Sequence, residues 1–125
     1  MTLMNGRADD PFAVRQHRYR DDAVVEVSGS VDMITAPQLA SQLDLAAENK
    51  PSVIVVDLTG VTFLSSAGIQ ALVEVQRLSA SIGTSVRLVG REHHTIHPIQ
   101  VLGLERTLPL YPTVGDALSE RPSTT

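Results

Sequence analysis

Two adjacent hydroxyl-bearing residues, Ser65 and Ser66, stand where an apolar segment ends and a helical pattern begins. We expect them at the N-terminus of that helix, where unpaired backbone N–H groups and the positive end of the helix dipole lie. A hydroxyl in this place can cap the helix. It can also carry a phosphate group, whose charge the same place stabilises. The sequence therefore leaves a structural and a phosphoacceptor role open for this pair.

Asp57 is a second candidate for phosphate chemistry, because it follows the apolar run of residues 53–56. A response-regulator receiver carries its phosphoacceptor aspartate at such a strand end. A receiver also needs an acidic cluster and a lysine at other strand ends, whereas the only lysine, Lys50, precedes this strand. We therefore predict that Asp57 is structural, ends the strand and bonds the N–H groups of the turn that follows.

A third candidate, Asp32, lies in a loop before the first predicted helix. Thr35 is the expected N-cap of that helix, with Pro37 in the first turn and Gln38 completing a capping box. Loops that follow parallel strands share one edge of a sheet, so this loop and Ser66 are expected on the same rim. Asp32 is then either a solvated loop acid or a contact for a partner protein.

Three histidines, His93, His94 and His97, lie close together but lack a carboxylate or cysteine at ligand spacing. They do not form the His-Glu-x-x-His pattern, so we expect no metal site. The serine pair lacks the preceding glycine of a hydrolase elbow, and no glycine-rich phosphate loop occurs. We therefore expect no catalytic residue, no cofactor and no enzyme activity, although weak nucleotide binding stays open.

Composition narrows the classes of protein that remain. A chain of 125 residues has the length of one domain. Its net charge of -4 and its single lysine argue against binding to nucleic acid or to an anionic membrane surface. No cysteine is present, which excludes disulfides and thiolate chemistry and fits a cytoplasmic protein. No apolar run approaches about 18 residues, and the first ten residues lack the apolar core of a signal peptide.

Hydrophobic periodicity predicts strands and helices in alternation, in the order β-β-α-β-α-β-α-β-α. This order indicates an α/β fold with a mixed, mostly parallel sheet of about five strands and helices packed on it. Residues 1–12 are predicted to be a mobile arm, and residues 120–125 a polar tail. The predicted strands are residues 13–20, 23–27, 53–56, 86–89 and 108–111, and the predicted helices follow Thr35, Ser65, His93 and Thr113.

The segment from Asp57 to Ile69 resembles the signature of the STAS domain, in its anti-sigma factor antagonist branch. The matching residues are Asp57-Leu58-Thr59, Val61, Phe63-Leu64, Ser66 and Gly68-Ile69. Two further blocks are similar to the family: Gly29-Ser30-Val31-Asp32 with Thr35-Ala36-Pro37 and Leu39, and Leu102-Gly103-Leu104 with Tyr111-Pro112 and Asp116-Ala117-Leu118. The resemblance covers residues 13–119 and implies a STAS-type fold.

The family resemblance implies a bacterial, non-catalytic regulator of sigma-factor-dependent transcription. In its unphosphorylated form such a protein binds an anti-sigma factor that is also a serine kinase, and phosphorylation of one serine releases that partner. A metal-dependent serine/threonine phosphatase resets the switch. By position the phosphoacceptor is Ser66, with Ser65 as second candidate. The implied partner-binding residues are Ser30, Asp32, Thr35, Ser65, Ser66 and Gly68.

The sequence departs from the family pattern on both sides of Ser66. Ser65 stands where many members have Asp, and Ala67 where they have Ser or Thr. The missing carboxylate removes one charge from the surface that a kinase reads. An alternative function is therefore a STAS module that scaffolds a signalling assembly without being phosphorylated. The switch further requires that the Ser66 side chain be exposed.

Overall fold

In the computed structural model, which describes residues 11–119, five strands form one sheet in the order β1-β2-β3-β4-β5. β1 pairs with β2 in antiparallel fashion, and the other three pairings are parallel. The predicted α/β class, element order and mixed sheet are confirmed. The strands are β1 (Ala13–Tyr19), β2 (Asp22–Val31), β3 (Val53–Leu64), β4 (Ser85–Val89) and β5 (Leu110–Tyr111); the helices are α1 (Ala36–Glu48), α2 (Ser66–Ala80), α3 (His93–Val101) and α4 (Val114–Ser119), with a 3-10 helix at Leu104–Arg106.

β3 lies at the centre of the sheet and is covered on both faces at its start. Its first four residues are branched and apolar, which suits a strand with two buried faces. One face packs under α1 and α2, whose buried side chains recur at helical spacing. The opposite face is closed by α4 through Ala117. The buried residues of α1 and α2 include Leu39, Leu43, Ala46, Ile69, Leu72 and Val75.

β2 and β3 are longer than the sequence predicts. The expectation that the central strand ends at Asp57 is wrong, because β3 continues to Leu64 beside a β2 that reaches Val31. Two register shifts, between Glu26 and Ser28 and again after Gly29, absorb the polar residues as bulges. Gly29 has a φ of 86°, and a Cβ there would lie 2.4 Å from the carbonyl oxygen of Pro11. The extension carries the sheet out to the start of α2.

The edge strand β5 is short and pairs with a single neighbouring strand. β5 pairs only with Leu88 and Val89 of β4, and Pro109 before it has no N–H to extend the ladder.

Of the predicted N-terminal arm, residues 1–10 lie outside the described residues, and Phe12 is partly buried against the core. The predicted tail, residues 120–125, also lies outside them. Among the helices of residues 11–119, none has the length and apolar character to cross a membrane.

A core leucine and an exposed leucine on α1 test the packing of this layer. Leu43 is fully buried, so Leu43→Ala should lower the free energy of unfolding by about 2–5 kcal/mol. Leu45 is half exposed, so Leu45→Ala should change it by less than about 0.5 kcal/mol. Urea denaturation measures both. Equal losses for the two variants would contradict the described orientation of α1.

Candidate functional site

Ser65 joins the end of β3 to α2 and is fixed at both its backbone and its side chain. It is the N-cap of α2, with extended backbone angles (φ -80°, ψ 170°). Its hydroxyl oxygen accepts a hydrogen bond of 3.2 Å from the N–H of Gly68. Its own N–H donates to the carbonyl oxygen of Val31 at 2.9 Å. Ser65 therefore caps the helix and ties it to the end of β2.

Ser66 is the first residue of α2 and is exposed to solvent. Within residues 11–119 its hydroxyl has no hydrogen-bond partner. It therefore meets the requirement of exposure stated above, at the positive end of the helix dipole. The two serines differ in environment: the Ser65 hydroxyl is occupied by the cap, and the Ser66 hydroxyl is open to another molecule.

Gly68 explains why α2 can begin so close to the sheet. A Cβ at this position would lie 2.6 Å from Cγ1 of Val31 and 2.9 Å from Cδ1 of Leu64, distances that side chains do not tolerate. The first turn of α2 thus rests directly on the ends of β2 and β3. Gly68 itself is buried, so the structure places it beneath the rim, where it positions Ser66.

The loop before α1 is organised by Asp32 rather than by a capping box. The predicted capping box is wrong, because the Thr35 side chain makes no cap hydrogen bond to the helix. The Thr35 hydroxyl instead donates to the carbonyl oxygen of Ser30 and accepts from the N–H of Asp32, both at 2.9 Å. The Asp32 carboxylate accepts from the N–H groups of Ile34 and Thr35 at 2.9 and 3.0 Å. Asp32 thus has a third role that the sequence did not suggest: it shapes the loop.

These contacts lower the pKa of Asp32 below its ordinary value of 3.8. The hydrogen bond from the backbone N–H of Thr35 contributes most, and the hydrogen bond from Ile34 adds to it, while partial desolvation acts in the opposite direction. Both favourable contacts are stronger with the ionised carboxylate than with the protonated acid. The loop is therefore held in its shape while Asp32 is charged.

Two large apolar side chains project from this loop into solvent. Met33 is 80% exposed and Ile34 is 79% exposed. Phe63, which pairs with Ser30 across β2 and β3, is 53% exposed. Sequence reasoning missed Phe63 as a site component. Met33 and Ile34 lie within the loop of residues 30–35, which the sequence already offers as a contact surface for a partner, and two adjacent large apolar residues within a polar loop are a usable signal for such a surface. We call Met33, Ile34 and Phe63 the apolar rim patch.

The carboxyl ends of β2 and β3 bring the apolar rim patch and Ser66 to one edge of the sheet. Val31 and Leu64 are the last paired residues of the two strands. The loop with Met33 begins directly after the first, and Ser65 directly follows the second. Ser30, Asp32, Thr35, Ser65 and Ser66, which the resemblance implies as partner-binding residues, therefore lie together on one rim.

The other candidates are occupied by structural contacts. The Asp57 carboxylate accepts from the N–H and hydroxyl of Thr59 at 3.0 and 2.8 Å, in the way predicted for a structural aspartate. Nε2 of His94 lies 3.3 Å from the carbonyl oxygen of Val61, and the rings of His93 and His97 stack at 4.4 Å. In the part of the chain that the structure describes, no group of three or more His, Cys, Asp or Glu residues could hold a metal ion.

Known proteins are similar to this chain in sequence and in fold. A family model described as the STAS domain matches residues 13–117. The anti-sigma-F factor antagonist RsfB of Mycobacterium tuberculosis is 34% identical over 114 residues, which are 90% of this chain and 91% of that protein. The crystal structure of an anti-sigma factor antagonist from Mycobacterium paratuberculosis is similar with a TM-score of 0.82 at 34% identity, over 89% of this chain and 94% of that chain.

A more distant structure extends the likeness of the fold. The anti-sigma factor antagonist SpoIIAA in its unphosphorylated form is similar with a TM-score of 0.72, over 85% of this chain and 93% of that chain. The two sequences are 17% identical, so this likeness concerns the arrangement of strands and helices alone.

Acidification should release the loop that Asp32 holds. Because folding depresses the pKa of Asp32, the stabilisation from its carboxylate is complete above pH 3.8 and is lost as the pH falls through the lower, folded-state pKa. Carboxyl-detected NMR titration should give Asp32 a pKa below 3.8, with the amide signals of Ile34 and Thr35 moving in step. In Asp32→Asn those amide signals should not follow this transition. An Asp32 pKa at or above 3.8 contradicts the described hydrogen bonds.

Proposed function

Because this chain belongs to the STAS-domain family, we propose that it is an anti-sigma factor antagonist whose partner binding is controlled by phosphorylation of Ser66. In its unphosphorylated state it binds an anti-sigma factor and so regulates sigma-factor-dependent transcription. The observation that carries this proposal is the exposed Ser66 hydroxyl at the head of α2, beside an apolar surface suited to docking. Relatives that match nearly their whole length are named as anti-sigma factor antagonists.

The apolar rim patch supplies the affinity in this proposal. Burying a side chain such as Met33 or Ile34 in a partner contributes about 1.5–3 kcal/mol, and a few such anchors dominate most interfaces. The loop that carries them is already held by Asp32 and Thr35. A pre-formed loop loses little conformational entropy on binding, so more of the contact energy appears as affinity.

Phosphorylation of Ser66 places a dianion within this docking surface. A phosphate adds a charge of about -1.5 to -2, and a partner that covers it without a compensating cation meets a cost of several kcal/mol. Since about 1.4 kcal/mol is a tenfold change in affinity, one phosphate is sufficient to release the partner. The helix N-terminus stabilises the same charge in the free protein, so the fold survives the modification.

The enzymes of the cycle follow from the same proposal. The anti-sigma factor is the serine kinase that modifies Ser66, and a metal-dependent serine/threonine phosphatase reverses it, both in the cytoplasm. The chain itself has no catalytic role. Ser65 provides no carboxylate beside the acceptor, so the kinase must recognise the site through the rim loop and the first turn of α2.

The alternative is a scaffolding STAS module that is not phosphorylated. The replacement of the family aspartate by Ser65 favours this alternative, because it removes the carboxylate that a kinase would read beside Ser66. Intact-mass and phosphopeptide analysis of the protein from its native cells distinguishes the two functions. Stoichiometric phosphoserine at Ser66 supports the switch, whereas a partner-bound protein that never carries it supports the scaffold.

Charge at Ser66 should decide whether the partner binds. With the anti-sigma factor captured by wild-type bait, Ser66→Ala should bind within about threefold of wild type, and Ser66→Glu should bind at least about tenfold more weakly. Ser41→Glu is the matched control, since Ser41 is exposed on α1 and the same charge is added there. Isothermal titration calorimetry measures all three affinities. Equal affinity of Ser66→Glu and Ser66→Ala rules the switch out.

Truncation of the apolar rim patch should weaken binding without unfolding the protein. Met33→Ala and Ile34→Ala should each lower the affinity about 10- to 100-fold and leave the melting temperature unchanged, because both side chains project into solvent. Asp32→Ala should also weaken binding, with a small fall in melting temperature from the loosened loop. Leu45→Ala, an exposed apolar truncation on α1, is the control. Unchanged affinity in both rim variants would remove the patch from the interface.

A further inference from the structure

Helix α3 carries two exposed histidines, His93 and His97, on the face that it turns to solvent. Thr95 and Ile99, each two residues further along, are buried and hold the opposite face of the helix against the rest of the domain. His97 follows His93 by four residues, about one helical turn, so both side chains project from the same side of the helix. The pair therefore stands on a fixed support and is open to solution.

The imidazole rings of this pair lie side by side. Their centres are 4.4 Å apart and their planes are inclined by 24°. Within residues 11–119, neither ring takes part in a hydrogen bond or an ion pair. The intervening histidine has a different role, because Nε2 of His94 lies 3.3 Å from the carbonyl oxygen of Val61 on β3. The ring nitrogens of His93 and His97 are therefore available as ligands.

The spacing and the ring geometry suit a divalent transition-metal cation. Imidazole nitrogen is a preferred ligand of zinc, copper and nickel ions, and two histidines four residues apart on one helix face are a recurring pair of zinc ligands. Two nitrogens that share a tetrahedral zinc ion at about 2.0–2.1 Å lie about 3.3 Å from each other. Because both rings are exposed and already adjacent, rotation of the side chains can bring one nitrogen of each ring to this separation while the helix backbone stays in place.

We propose that His93 and His97 together bind one divalent cation of the Zn²⁺ class, with water in the remaining coordination positions. Within residues 11–119, no group of three or more potential ligands occurs, so the protein supplies two ligands and the site is open to solvent. This differs from the expectation drawn from the sequence, which required a carboxylate or cysteine as a further ligand. The site shares no residue with the rim and does not depend on the proposed switch.

Isothermal titration calorimetry of the untagged chain with zinc chloride tests this site. Wild type should bind one Zn²⁺ with a Kd on the order of 1–100 micromolar. Cu²⁺ should bind more tightly than Zn²⁺, in the usual order of affinities for divalent metals. Mg²⁺ should not compete, because it prefers oxygen ligands. In a titration of the ¹⁵N-labelled protein with the same zinc salt, the largest amide shifts should lie within residues 92–98.

His93→Gln and His97→Gln should each weaken zinc binding at least about tenfold, because each variant keeps only one of the two ligands. Both residues are exposed, so the melting temperature should not change. His17→Gln is the matched control, since it removes an exposed histidine from β1 and should bind zinc as wild type does. The proposal is overturned by a wild-type Kd above about 1 millimolar, or by equal affinity in wild type and either α3 variant.

Discussion

Close packing of the first turn of α2 against the ends of β2 and β3 is the constraint on which the candidate site depends. A Cβ on Gly68 would overlap Val31 and Leu64, so only glycine lets the helix begin at this distance from the sheet. The hydrogen bond from Ser65 to Val31 fixes the same junction through the backbone. With the helix held there, its first residue, Ser66, is exposed to solvent.

This junction separates the residues with structural roles from Ser66, the residue with the proposed regulatory role. The Ser65 hydroxyl accepts a hydrogen bond from a backbone N–H at the helix terminus, and Asp32 and Thr35 bond backbone groups of the loop beside it. Neither task uses the Ser66 hydroxyl. A phosphate added to it therefore changes the charge of the surface without removing a contact that the fold requires, and the helix N-terminus offsets part of its charge. In the proposed switch the same modification is unfavourable only to a partner that must cover it, so the domain would release that partner without being unfolded.

The sequence predicts the element order, the buried faces and the position of the serine pair, because these depend on hydrophobic period and on local helix signals. It does not predict the length of β3, since Thr59 and Gly60 have turn-forming character and only the pairing of this segment with β2, where Gly60 lies opposite Ser28, makes it strand. It misassigns the cap of α1 because the Thr35 hydroxyl is engaged by the carbonyl oxygen of Ser30 and the N–H of Asp32 and not by the helix. Local patterns cannot decide which of several nearby backbone groups a hydroxyl will bond.

Genuine phosphoserine incorporated at position 66 tests the central claim most directly, with folding and binding measured on one sample. Differential scanning calorimetry should place its melting temperature within about 4 °C of the unmodified protein, a difference of no more than about 1 kcal/mol. Titration of the same sample with the anti-sigma factor should show affinity reduced by at least about tenfold. Retained affinity would contradict the claim that the docked partner does not tolerate a charge at the head of α2. Lost affinity accompanied by an unfolded domain would contradict the claim that the fold tolerates this charge.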